Sequence, residues 1–341
     1  MPEDCGGKEI MRYRLIGRTN IRVSSIGFGT WALAGDFTWG PQDEEDARAA
    51  LRSALEEGVT FFDTAPSYGE GRAERLLGEV LAPVRDRVAI ATKVSPDQLE
   101  PKALRASCER SLENLNTEYI DLLQIHWPNP QADMEQAFET LAGLRDAGKI
   151  RAFGVSNFGC KDLAPCLKRR EWMPASNQLA YNLLFRAIEY EIQPFCVKND
   201  IAILCYSPLL HGMLSGKYLR PDDVPPERAR TRHFSKARPH TRHGEEGAEA
   251  ETFAAIEAIR QVARDLEEPM ASVALSWLLA QEGVASAIVG ARDAIQARRN
   301  ARAGNLALPP AIVKKLSAVT EPLKRKLGPN PDMWETPPRI H

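Results

Sequence analysis

No apolar run in this 341-residue chain approaches the ~18 residues needed to cross a membrane as a helix. Charge of one sign is lacking too. The 44 Lys and Arg against 46 Asp and Glu leave a formal net charge of −2, which offers no global attraction to nucleic acid or to an anionic membrane. The six cysteines, Cys5, Cys108, Cys160, Cys166, Cys196 and Cys205, include no C-x-x-C pair. Such scatter in a chain this long fits reduced thiols in a cytoplasm. Met1 to Glu9 is polar and has no apolar stretch of the signal-peptide kind, which points away from secretion. There is no internal repeat, low-complexity linker or Gly/Ser-rich boundary. Residues 1–341 therefore read as one domain, with 1–12 and 330–341 as less ordered tails, and 43% hydrophobic content is ample for its core.

What is there is an alternation of strand-like and helical patterns. Residues 13–25 read as a hairpin turning at Gly17-Arg18-Thr19-Asn20, placed to cap the bottom of a barrel. Strands are then expected at 25–29, 60–63, 88–94, 119–126, 150–156, 175–180, 201–207 and 286–289. Helices are expected at 43–57, 73–81, 101–115, 133–147, 249–266 and 270–281. Eight strands separated by helices imply an α/β fold, a parallel (β/α)8 barrel whose functional groups gather at the carboxyl ends of the strands. Gly27-Phe28-Gly29 begins like a dinucleotide fingerprint but lacks the third glycine and the helix start, so it is assigned to the first barrel strand.

Four polar residues stand just past three of those strand ends: Asp63, Tyr68, Lys93 and His126. Taken singly each has an ordinary explanation as a surface or structural residue. In this order on consecutive strands they form the set a carbonyl reductase needs. A phenol with a pKa near ~10 is a poor acid at neutral pH, and Lys93 is expected to stabilise its phenolate form. Asp63 would pair with the lysine and offset the cost of desolvating it. His126 would aim the carbonyl oxygen that Tyr68 protonates. Trp31, Trp39 and Trp127 are candidates for the apolar part of the substrate pocket.

The segments Gly58-Val59-Thr60-Phe61-Phe62-Asp63-Thr64-Ala65, Gln124-Ile125-His126 and Gly154-Val155-Ser156-Asn157-Phe158, with Tyr68 and Lys93, make the chain resemble an aldo-keto reductase from about Tyr13 to the tail. Gln124 to Pro130 and Leu327-Gly328-Pro329-Asn330-Pro331 are similar to the bacterial branch that also resembles potassium channel β subunits. The resemblance implies the barrel and NADP(H)-linked interconversion of carbonyl and alcohol. It further implies that Ser156, Asn157 and Gln178 bind the nicotinamide carboxamide and that Tyr206 stacks on the ring. Ser207, Leu209, Gly212, Ser215 and Lys217 would then follow the pyrophosphate. Gly290 and Arg292 come after the last strand, where a guanidinium can pair with a 2′-phosphate. Gln296 and Asn300 resemble adenosine-contacting positions. Arg299 departs from the family pattern, because arginine cannot accept the adenine amino hydrogen bond that a glutamate there accepts.

The irregular stretch 219–247 holds six basic residues between Arg228 and Arg242. It reads as a solvated, mobile loop, with a lid over the cofactor phosphates as the alternative. His240 and His243 have no carboxylate or cysteine to complete a metal site, so no metal is expected. A small carbonyl or alcohol substrate is expected, with the loops at 29–41, 127–133 and 322–341 shaping its pocket. Neither nucleic acid nor membrane is expected as a partner, and the chain should be a monomer or weak homo-oligomer. Two other classes stay open on the sequence: an NADP(H)-sensing regulatory subunit with slow turnover, and a barrel lyase or hydrolase without nicotinamide.

Overall fold

The computed structural model describes residues 11–341; Cys5 and most of the expected amino-terminal tail lie outside the described residues. Strands β1 (Tyr13–Leu15) and β2 (Arg22–Ser24) form the expected hairpin, with Tyr13 opposite Ser24. Gly17 in its turn has φ +50°, and a Cβ there would lie 2.4 Å from the Ala175 carbonyl oxygen, so the close approach of hairpin to barrel requires glycine.

Eight parallel strands close into a barrel among the described residues: β3 (Ile26–Gly29), β4 (Phe61–Asp63), β5 (Ala89–Val94), β6 (Ile120–Ile125), β7 (Ile150–Ser156), β8 (Ser176–Ala180), β9 (Ala202–Tyr206) and β10 (Val284–Gly290). The seam joins β10 to β3, with Gly290 beside Gly29. Helices α1 (Glu44–Glu56), α2 (Arg72–Leu81), α3 (Pro101–Leu115), α4 (Met134–Asp146), α5 (Cys160–Leu163), α6 (Ile192–Lys198), α7 (Glu249–Asp265), α8 (Met270–Leu279), α9 (Ala294–Ala303) and α10 (Pro310–Leu327) complete the order. Side-chain caps set several starts. Asp43, Asp133 and Asp293 accept from the backbone N–H of Asp46, Gln136 and Gln296, and Glu100 accepts from Lys102 and Ala103 just before Pro101 at the first helical position. No helix among the described residues is long and apolar enough to cross a membrane.

Period-two alternation divides the strand residues between two cores. Phe61, Ala89, Ala91, Leu122, Ala152 and Leu204 face inward and pack with Ile16, Ile21 and Val23 of the hairpin, which therefore plugs the amino end. Phe62, Ile90, Leu123 and Phe153 face outward under the helices. Since the bottom is plugged, the opposite rim is the open end.

Three expectations need correction. Pro322 does not begin a tail: α10 runs through it to Leu327, and neither α10 nor α6 was expected from the sequence. Segment 330–341 is not loose. Asp332 and Met333 are fully buried, Arg339 Nε donates to Asp332 Oδ2 at 2.7 Å, and the His341 carbonyl accepts from Lys161 N at 2.9 Å. Nor is 228–242 a solvated loop, because Arg232, His233 and Phe234 are buried and Arg232 donates to the carbonyls of Leu327 (2.6 Å) and Asn330 (2.9 Å). Arginine supplies several donors to peptide carbonyls at the end of a helix, which locks the basic segment and the tail to each other.

Candidate active site

The alternation that turns Phe61, Ala91 and Leu122 inward also turns Asp63, Lys93 and Gln124 toward the axis, two residues nearer the open rim. Lys93 Nζ lies 2.6 Å from Asp63 Oδ1 and donates to the Thr64 carbonyl at 2.9 Å. The other carboxylate oxygen accepts from Gln178 Nε2 at 2.7 Å and Gln124 Nε2 at 3.3 Å. Both members of the ion pair are buried. Tyr68, half-buried on the β4–α2 loop, has its ring centroid 5.2 Å from Lys93 Nζ and 6.2 Å from the His126 ring.

Burial penalises the lysine's charge, yet Asp63 and Tyr68 outweigh it and hold Lys93 above its ordinary pKa, so it is a cation. His126 is pushed down to about 3 by burial, and then by Lys93, so its imidazole is neutral. Lys93 acts on Tyr68 in the expected direction, favouring the phenolate, but it is not the largest influence. Desolvation raises its pKa, and Lys93 only limits the rise. A proton donor must be protonated while it waits, and this one is.

These groups open into a cleft of about 1300 Å³, room for more than one small ligand. Every residue singled out from the sequence as catalytic, cofactor-binding or pocket-forming lines it except Lys93, which lies buried beside Asp63. Ser156 and Gln178 are register partners on β7 and β8, and Ser156 Oγ donates to the Gln178 carbonyl at 3.0 Å. Asn157, left-handed at φ 62°, donates to the His126 carbonyl (3.1 Å) and accepts from the Tyr206 hydroxyl (2.9 Å). Past β9 the backbone is left-handed at Ser207, Leu210, His211 and Gly212. Non-glycine residues held there cost on the order of 1–3 kcal/mol each, and such runs form concave nests for anions. Lys217 makes no ion pair among the described residues. Arg292 is engaged: its guanidinium donates to the Trp39 carbonyl and Gln42 Oε1, each at 2.7 Å, and to the Pro41 carbonyl. Gln296 bonds to Asp293, and Asn300 Nδ2 donates to the Gly290 carbonyl at 3.1 Å.

A model of the aldo/keto reductase family matches residues 25–321, most of the chain. The chain belongs to the aldo/keto reductase family. It is 35% identical over 294 residues to Aldo-keto reductase YhdN of Bacillus subtilis, covering 83% of this chain and 85% of that one. The NADH-specific methylglyoxal reductase of Escherichia coli is 29% identical over 91% of this chain and 98% of its own. Among solved structures, an aldo-keto reductase from Klebsiella pneumoniae in complex with NADPH matches with a TM-score of 0.72 at 25% identity, covering 91% of this chain and 95% of that one.

Among the cleft residues of this aldo/keto reductase that the sequence did not single out are His211, Trp334 and Arg339, the last two within the 322–341 segment expected to shape the pocket. His211 packs edge-on against Trp31 and Trp39 and lies 5.2 Å from the Trp334 ring, and Arg339 lies 3.8 Å from the Trp127 centroid. Only the adjacent Gly212 hinted at His211, and Trp334 was covered only by its segment. His240 and His243 belong to no group of metal-ligating side chains among the described residues.

Burial also sets an acid limit on the fold. His211 and His233 are buried, with pKa values pushed down to about 3 and about 4. Unfolded, each would titrate near ~6.5. The stability this provides is therefore present above that pH and is lost as pH falls toward 4, by up to about 1.4 kcal/mol per pH unit per histidine. Denaturant titrations should show the midpoint falling from pH 6.5 to 4.5, with a shallower fall in His233→Gln. An identical slope in that variant would rule out His233 as a source.

Proposed function

We propose that this chain reduces aldehydes or ketones to alcohols with NADP(H), reversibly, with Tyr68 as general acid in reduction and general base in oxidation. The observation that carries this reading is the buried Asp63–Lys93 pair set beside Tyr68 and a neutral His126 in a single cleft. When bound, the nicotinamide supplies the hydride from C4. Tyr68 gives its hydroxyl proton to the carbonyl oxygen. Lys93, kept cationic by Asp63, balances the phenolate left behind. The neutral His126 donates an N–H to the same oxygen as its charge grows. Trp31, Trp39 and Trp127 enclose the apolar part of the substrate.

The left-handed run after β9 and the unpaired Lys217 fit a pyrophosphate, with Ser207, Leu209, Gly212 and Ser215 along it. Ser156, Asn157 and Gln178 would bind the carboxamide, where Gln178 Oε1 accepts no hydrogen bond among the described residues, and Tyr206 would stack on the ring. Gly290, Gln296 and Asn300 would hold the adenosine end. Arg299 is exposed and has no partner among the described residues.

Arg292 is proposed as the 2′-phosphate ligand. Its present partners are neutral oxygens, which a dianionic phosphate can displace. One relative is named with NADPH and another as NADH-specific, so the preference of this chain is measured at Arg292. A charge-assisted bidentate contact contributes about 1.5–3 kcal/mol, so Arg292→Ala should weaken NADPH roughly 10- to 150-fold and NADH little. Fluorescence titration reads both affinities; equal losses would assign Arg292 to holding the Trp39–Gln42 loop instead. The reading as a whole is tested by NADPH consumption at 340 nm with short aldehydes, sugars, polyols in reverse, and pyridoxal. No turnover with any of them would count against it.

A further inference from the structure

The rim of the cleft carries a surplus of cations that the proposed reduction does not use. Arg228 and Arg230 both line it, and neither makes an ion pair among the described residues. Arg230 Nη2 donates to the Thr38 hydroxyl at 2.7 Å, while Arg228 reaches only the Tyr218 hydroxyl at 3.4 Å and the Thr38 carbonyl at 3.5 Å. Their guanidinium groups stand 5.1 Å from the Trp334 ring and 5.0 Å from the Trp39 ring, against two walls of the aromatic box around His211. Arg242, paired to Glu335 at 3.4 Å, adds a third cation close enough to act on Arg230.

The same place holds buried polar atoms with no hydrogen-bond partner among the described residues: Trp39 Nε1, Arg230 Nε and both ring nitrogens of His211. Indole and guanidine N–H groups only donate, and a neutral imidazole adds one donor more. Unmet buried donors cost free energy, so a cluster of them calls for a ligand rich in acceptors. The nearby acid is Asp36, and it is satisfied: it accepts from Trp31 Nε1 (2.6 Å), Thr38 N (2.9 Å) and Trp39 N (3.1 Å). Arg228 and Arg230 line the same cleft as Tyr68 and His126.

We propose that Arg228 and Arg230, with the donors of Trp39 and His211, form a subsite for the anionic end of the substrate, an aldehyde or ketone carrying a terminal phosphate or carboxylate. Arginine's planar fork matches either anion bidentately, and indole and imidazole walls leave the carbon chain between them dry. This deepens, and rests on, the carbonyl-reductase reading.

Matched pairs test it: glyceraldehyde 3-phosphate against glyceraldehyde, and succinic semialdehyde against butanal, each with NADPH. The phosphate arm, the carboxylate arm or both should show at least about a tenfold higher kcat/KM for the anionic member. Arg228→Ala/Arg230→Ala should erase that preference through KM rather than kcat, the corresponding double lysine variant should keep part of it, and NADPH affinity should hold. Equal kcat/KM within both pairs would overturn the proposal. So would a parallel loss of NADPH affinity in the alanine variant, which would make these arginines cofactor ligands. Should no aldehyde turn over, tryptophan fluorescence titrated with glycerol 3-phosphate tests the subsite alone. Saturable quenching in the wild type but not in the double variant supports it, and no quenching in either overturns it.

Discussion

Tyr68→Phe should lower NADPH-linked carbonyl reduction by about 100- to 10,000-fold, the usual cost of losing a positioned proton donor. The substitution removes one oxygen and keeps the ring between Lys93 and His126, so folding and cofactor affinity should be retained. The loss should fall on kcat, because the hydroxyl proton is needed in the transition state more than in the ground state. His126 cannot take over. Its pKa near 3 leaves it neutral, and a neutral imidazole is too weak an acid to replace the phenol at pH 7. Single-turnover rates with saturating NADPH check this directly. Undiminished turnover would remove Tyr68 from the chemistry.

Lys93→Met should produce the largest loss of stability of any change at the site. It strands Asp63 as a buried carboxylate with only the amide donors of Gln178 and Gln124. Breaking a buried pair in this way costs about 3–5 kcal/mol, and those amides place the expectation toward the lower end. Asp63→Asn added to Lys93→Met removes the stranded charge and should recover much of the stability but none of the activity. Urea denaturation of the two variants beside the wild type separates the effects. Equal stability of the single and double variants would show that the charge is not what matters.

The barrel was legible because its signals are local and repetitive: apolar runs ending at Asp63, Lys93 and His126, each followed by a helical pattern, the last two begun by the capping residues Glu100 and Asp133. The positions of Asp63 and Lys93 at the ends of consecutive strands were also enough to pair them. What escaped depends on contacts between segments far apart in sequence. Arg292 binds the Trp39 carbonyl across the barrel seam, and Arg232 is buried by the tail residues whose carbonyls it bonds. A run of arginines therefore looks solvated until its acceptors are seen. Pro322 opens the segment assigned to the tail, yet α10 continues through it. The lysine that favours the Tyr68 phenolate is visible in sequence, whereas the burial that outweighs it is a property of the assembled cleft.

The most direct test of the central claim follows the hydride. NADPH carrying deuterium at both C4 positions is incubated with the wild-type protein and a reducible aldehyde, and the product is examined by mass spectrometry. The account predicts an alcohol one mass unit heavier, with the deuterium on the former carbonyl carbon and none transferred by Tyr68→Phe above its residual rate. An alcohol formed without deuterium, or NADPH bound and no alcohol formed from any aldehyde offered, would contradict it.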